Sequence, residues 1–187
     1  MSAPHDSVRS DDSTGALVRQ GLLVVVGCLV LGVLGGLLWY QLWNPAQGVV
    51  VASPGCAPAE QCWTPTPPET GRAGDFSGTA LYTLVALGAG LVAGLVASLA
   101  ARRSELVTLG ALLLGTAVAG VVMARVGVWL GPADPEALAA SAEVGTRLPD
   151  DLQVVGVSPY VVMPFGGLLA LVLVYFIVPR EWPARSR

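Results

Sequence analysis

Four long apolar stretches alternate with polar segments along this chain, and each is long enough to cross a bilayer. The third, residues 105–130, carries an Arg-Arg pair just before it and Trp, Gly and Pro at its far end. At about 1.5 Å per residue it extends to nearly 40 Å, against a hydrocarbon core of about 30 Å, so it spans with some tilt. Ser104 is its N-cap, and Glu105 favours the positive end of the helix dipole.

The first stretch, residues 21–43, holds 23 residues without a charge behind Arg19 and Gln20. It is too long and too far from the start for an ordinary secretory core, so residues 19–43 are predicted to form an uncleaved anchor helix. Cleavage within Val-Val-Ala-Ser at residues 50–53 is the alternative, which an intact mass decides. Residues 1–18 are polar and nearly free of large apolar side chains, which predicts a disordered tail. The second stretch, residues 78–101, is halted by Arg102-Arg103-Ser104, a connection that permits only an antiparallel helical hairpin. The last, residues 159–178, contains Pro164 one turn in; the lost N–H frees the carbonyl of Tyr160 and predicts a kink. A short basic tail, residues 179–187, follows.

Two longer segments separate these spans. Residues 44–77 are rich in Pro, Gly and Thr, with a β-branched run Val49-Val50-Val51 and two cysteines. Residues 131–158 contain Asp134-Pro135-Glu136, a capping residue, a first-turn Pro and an acid, which predicts a short surface helix ending near Gly145. Residues 152–157 have strand-like composition and are expected to pair with Val49-Val50-Val51. The reading is an all-α membrane protein, a four-helix transmembrane bundle under a small cap formed by the two loops.

Charge gives the orientation. Arg9, Arg19, Arg102, Arg103, Arg180, Arg185 and Arg187 fall on one side, against Arg72 and Arg147 on the other, which predicts cytoplasmic N- and C-termini in a multi-pass cell-membrane protein. The outer loops hold eight acids against those two arginines, about -6 by formal count. Trp39, Tyr40, Trp43, Tyr82, Trp129 and Tyr160 lie near the outer ends of their spans, where amphipathic rings favour the interface. The composition agrees, with 53% hydrophobic and 12% charged residues. All ten basic residues are arginine, a bias of GC-rich genomes. A net charge of -3 is too small to imply a nucleic-acid partner.

Few residues are equipped for chemistry. Cys56 and Cys62 lie on the oxidising side, so a disulfide closing a small loop is the main reading; a redox or metal-binding pair is the alternative, without Cys-x-x-Cys spacing or a nearby His. Cys28, mid-membrane, is a packing residue. Arg125 is the one charge inside an apolar run, about five residues or 7–8 Å below the outer end of its helix. It either snorkels to the interface or faces the bundle, paired with Asp75 or Glu69 as a clasp or a site for an anionic group. No intramembrane Asp, Glu or His accompanies it, which weighs against a proton relay or a cation-coupled transporter. Small residues recur at every fourth position: Cys28, Gly32 and Gly36; Ala86, Gly90, Gly94 and Ser98; Ala111, Gly115 and Ala119; Thr116, Gly120 and Ala124. Such rows let helices approach closely, within one bundle or against a partner or second copy. The chain holds no phosphate-binding Gly loop, His-Glu-x-x-His or Gly-x-Ser-x-Gly, and no metal or cofactor is expected.

The order Trp39-Tyr-Gln-Leu-Trp-Asn-Pro45, Gly74-Asp-Phe, Ala-Arg125-Val-Gly with Gly131-Pro132, and a Pro-containing last span resembles a family of small actinobacterial four-span membrane proteins of unknown function. The likeness covers residues 22 to about 176, without the Cys56 and Cys62 loop. It implies an actinobacterial plasma membrane and no catalytic residue. The functional expectation is a non-enzymatic envelope component, an accessory or assembly partner; the alternative is a small oligomeric transporter or lipid-handling protein that uses Arg125.

Overall fold

The computed structural model describes residues 6–56, 61–68, 70–100 and 104–177, and within them four helices are long and apolar enough to cross a membrane. They are α1 (Asp6–Leu42), α2 (Thr70–Ala100), α3 (Glu105–Leu130) and α5 (Val162–Ile177), the last reaching span length together with the 3-10 turn Ser158–Val161 that leads into it, and a short α4 (Pro135–Ala139) lies in the second loop. The two loops supply β1 (Gln47–Ala52), β2 (Gln61–Pro65) and β3 (Arg147–Pro149), one sheet in the order β2-β1-β3. The result is a four-helix bundle with a small cap at one end.

Partner choice in the bundle skips along the chain. α1 packs most closely on α3 and α2 on α5, with lighter contact between α1 and α2, α3 and α5, and α2 and α3. Consecutive spans run in opposite directions, so both close pairs are parallel. Glycine rows make these approaches possible. A Cβ on Gly32 would lie 2.6 Å from the carbonyl oxygen of Ala119, and one on Gly36 2.7 Å from that of Met123. Across the other pair, Gly90 and Gly94 press against the carbonyl oxygens of Met163 and Gly167, where no side chain fits. In lipid, where burial of apolar surface drives little, such close backbone contact supplies the dispersion that holds helices together.

Local signals place the helix ends. The Ser104 hydroxyl accepts from the amide of Val107 at 3.4 Å, and the Gly131 amide donates to the Gly127 carbonyl at 3.0 Å, so α3 is closed at both ends. Asp134 Oδ1 accepts from the Glu136 amide at 2.9 Å and starts α4, which ends at Ala139, well short of Gly145.

Four expectations are corrected. The first helix begins at Asp6, not near Arg19: once the apolar span is helical, each residue added upstream gains a hydrogen bond without a new nucleation step. Pro164 does not fall in a helix interior. Residues Ser158–Val161 form a 3-10 turn and α5 starts at Val162, so Pro164 occupies a first turn, where no N–H partner is needed. The partner of Val49-Val50-Val51 in the second loop is β3, not residues 152–157. Gly145, at φ +94°, turns the chain so that Arg147 lies opposite Val49; residues 152–157 then descend over the bundle with Leu152 buried. Lastly, Trp39, Trp43 and Tyr82 are core residues and not an interfacial belt, whereas Trp129 is 84% exposed. Arg102 and Arg103 and residues 178–187 lie outside the described residues.

Candidate functional site

The cap is built upward from β1. This strand pairs antiparallel with β2 on one side, Val51 opposite Cys62, and with β3 on the other, Gly48 opposite Leu148. Gly48 is required here because the Trp63 ring lies directly against it, and the Trp63 indole N–H donates across β1 to the Leu148 carbonyl at 3.0 Å. Cys56 and Cys62 form the disulfide, pinning the turn after β1 to β2. With its amide nitrogen turned toward them, Gln61 donates to the carbonyls of Ala139 (3.0 Å) and Ala142 (2.8 Å), which ties α4 to the sheet edge. The Val155 amide donates to Thr79 Oγ1 at 3.1 Å, fastening the second loop to the top of α2. Both loops therefore form one piece.

A cavity of about 310 Å³ opens between these parts, lined by Trp63, Asp134, Glu136, Asp150, Asp151 and Gln153. Its lining gathers four of the acids that charge counting assigned to the outer loops. Asp150 is buried and its Oδ1 accepts from the Asp151 amide at 3.0 Å. Among the described residues no group of three or more His, Cys, Asp or Glu side chains is placed to hold a metal ion.

Arg125 is exposed and points off α3, one helical turn below exposed Trp129. Glu69 and the side chain of Asp75, its expected partners, lie outside the described residues. The small-residue rows face inward. Besides the four glycines above, Gly115 sits 3.1 Å from the Cys28 side chain, and Gly120 has the Tyr82 hydroxyl at 3.4 Å, each measured from the Cβ it lacks. Ser98 is buried, its hydroxyl donating to the Leu95 carbonyl at 2.7 Å. Cys28 is buried in the core, as a packing residue would be.

A ring cluster under the cap escaped the reading of the sequence. Trp39 and Tyr82 are wholly buried and meet edge-to-face, with centroids 5.2 Å apart, and Tyr160 lies 5.8 Å from Tyr82. Trp39 donates to the Gly78 carbonyl at 2.8 Å, so α1 is joined to α2 through a polar contact sealed from solvent. The signal was present: Tyr82 continues the row Ala86, Gly90, Gly94 by one more step of four, and Trp39 falls one turn beyond Gly36. No protein-family model, curated protein or solved structure matches the chain.

Proposed function

We propose that this protein is a non-enzymatic component of the cell envelope, a membrane scaffold whose acidic cap docks a basic segment of another protein. The observation that carries the reading is the cap itself. Two loops far apart in sequence are fused by β1 into one disulfide-pinned unit, and its cavity is walled by Asp134, Glu136, Asp150 and Asp151 around Trp63. A preformed acidic concavity with an aromatic wall suits a cationic side chain, and it loses little conformational entropy on binding. The glycine rows support the same reading, because Gly32, Gly36, Gly90 and Gly94 are occupied inside the bundle and the cap is left as the contact surface. Seven arginines on the opposite side of the spans support cytoplasmic termini and an outward-facing cap in the plasma membrane.

A photo-crosslinking residue in place of exposed Gln153 tests this in native membranes. Capture of a second, different polypeptide is expected, abolished by Asp134→Lys with Glu136→Lys; a purely homomeric product overturns the reading. A second contact has its own support. Arg125 and Trp129 are exposed one turn apart near the outer end of α3, where the indole suits the interface and the guanidinium can snorkel up to a lipid phosphate, which favours a lipid contact at Arg125 over a route through the bundle.

A further inference from the structure

We propose that a trough between α1 and α2, at the end of the bundle away from the cap, holds an acyl chain of an anionic glycerophospholipid whose phosphate rests on Arg19. The trough follows from the partner choice of the helices. Gly32 and Gly36 draw α1 onto α3, and Gly90 and Gly94 draw α2 onto α5. The α1–α2 seam is thus closed at the cap end, where Trp39 meets Gly78, and parted below. A lateral opening of about 1000 Å³ results, at the upper end of the size range of ligand sites. Its floor is made of small buried side chains, Cys28, Ala93 and Ala97, and its rim of exposed Val30 and Val96.

Two features identify the occupant. The first is open space along the wall of the trough: a Cβ built on exposed Gly27 meets nothing within 4 Å, in contrast to buried Gly32 five residues on. The second is chemical asymmetry along the trough. Arg19 is the single charged side chain among the described residues that line it, it stands at the end away from the cap, and it is exposed. From Arg19 to Leu31 the helix rises about 18 Å, close to half of a hydrocarbon core of about 30 Å. A molecule held here is anionic at the membrane surface and apolar down to the midplane, which is the form of an anionic phospholipid. The guanidinium offers a charge-assisted hydrogen bond to the phosphate at the membrane surface.

Native mass spectrometry of the full chain in mild detergent, with phosphatidylglycerol and phosphatidylcholine supplied together, tests the proposal. One phosphatidylglycerol per chain is expected to be retained, preferred about tenfold over phosphatidylcholine, because the choline cation of the latter repels the Arg19 guanidinium and offsets much of the attraction of its phosphate. Arg19→Gln is expected to abolish the preference. Gly27→Leu fills the trough and is expected to abolish retention of both lipids, with the thermal midpoint kept because the new side chain enters empty space. Equal retention of the two lipids by the parent chain overturns the proposal, as does unchanged retention in Gly27→Leu. A preference lost in Arg125→Gln and kept in Arg19→Gln overturns it as well, because the lipid then sits at the cap end.

Discussion

The hydroxyl of Tyr82 donates to the carbonyl of Gly120 at 2.8 Å, wholly buried between α2 and α3. These helices touch only lightly elsewhere, and this bond joins the α1–α3 pair to the α2–α5 pair across the bundle. Tyr82→Phe keeps the ring against Trp39 and removes only the bond. Because the Gly120 carbonyl keeps its helical partner, the loss is expected to be about 0.5–1.5 kcal/mol, whereas Tyr82→Ala adds a cavity and costs about 3–5 kcal/mol. Unfolding in mixed micelles separates the two; equal losses would show that the hydroxyl holds the pairs together.

The glycines divide into those that admit a side chain and those that do not. Gly32→Ala and Gly94→Ala each place a methyl against a carbonyl oxygen of the neighbouring helix and are expected to destabilise by about 1–3 kcal/mol. Gly88→Ala and Gly110→Ala meet nothing within 4 Å, and by helix propensity alone are expected to gain up to about 1 kcal/mol. Thermal midpoints of the four variants check the division, and a uniform response would contradict the assigned helix faces.

Much of this bundle can be read from the chain. Ser104 and Glu105 mark the start of α3, Asp134 and Pro135 the start of α4, and the steps of four mark the faces that pack. What a small-residue row does not encode is its partner. Nothing in Gly32 and Gly36 says that they meet Ala119 and Met123 on α3, so the α1–α2 trough, a consequence of that choice, was not legible. Nor was β2, because Gln61-Cys-Trp-Thr-Pro65 is short, ends in Pro and shows no apolar-polar alternation, and it is held by its neighbours, β1 and the disulfide. Position near a span end does not separate an interfacial Trp39 or Tyr82 from a core one, because a residue type favoured at the interface also serves in a core when its polar atom finds a carbonyl, as both do.

The disulfide acts on the cap alone. Cys56 and Cys62 are 6 apart in sequence, and closing so short a loop contributes about 2 kcal/mol by loop entropy. The double change to Ser is expected to raise hydrogen exchange in β1 and β2 and to leave the exchange of α3 unaltered, since the ladder between β1 and β3 and the glycine contacts of the helices do not pass through it. An impermeant maleimide is expected to label both cysteines on intact cells only after reduction. Labelling confined to inverted vesicles would place the cap in the cytoplasm.

Arg125 distinguishes an interfacial anchor from a bundle clasp. Its side chain is exposed on α3 at the level of the ring cluster, in the same stripe as Val121 and Trp129, which are exposed too. Arg125→Leu therefore extends an apolar surface toward lipid and leaves no buried charge behind. The thermal midpoint in detergent is expected to hold or rise slightly, because a cation near the hydrocarbon region carries a cost that Leu does not. Retention of anionic lipid at the cap end is expected to fall. If Arg125 instead held α3 to an acid at the start of α2, the same change would orphan that acid and lower stability by several kcal/mol. A midpoint that falls, together with recovery on also changing Asp75 to Asn, would identify the clasp and remove the lipid contact.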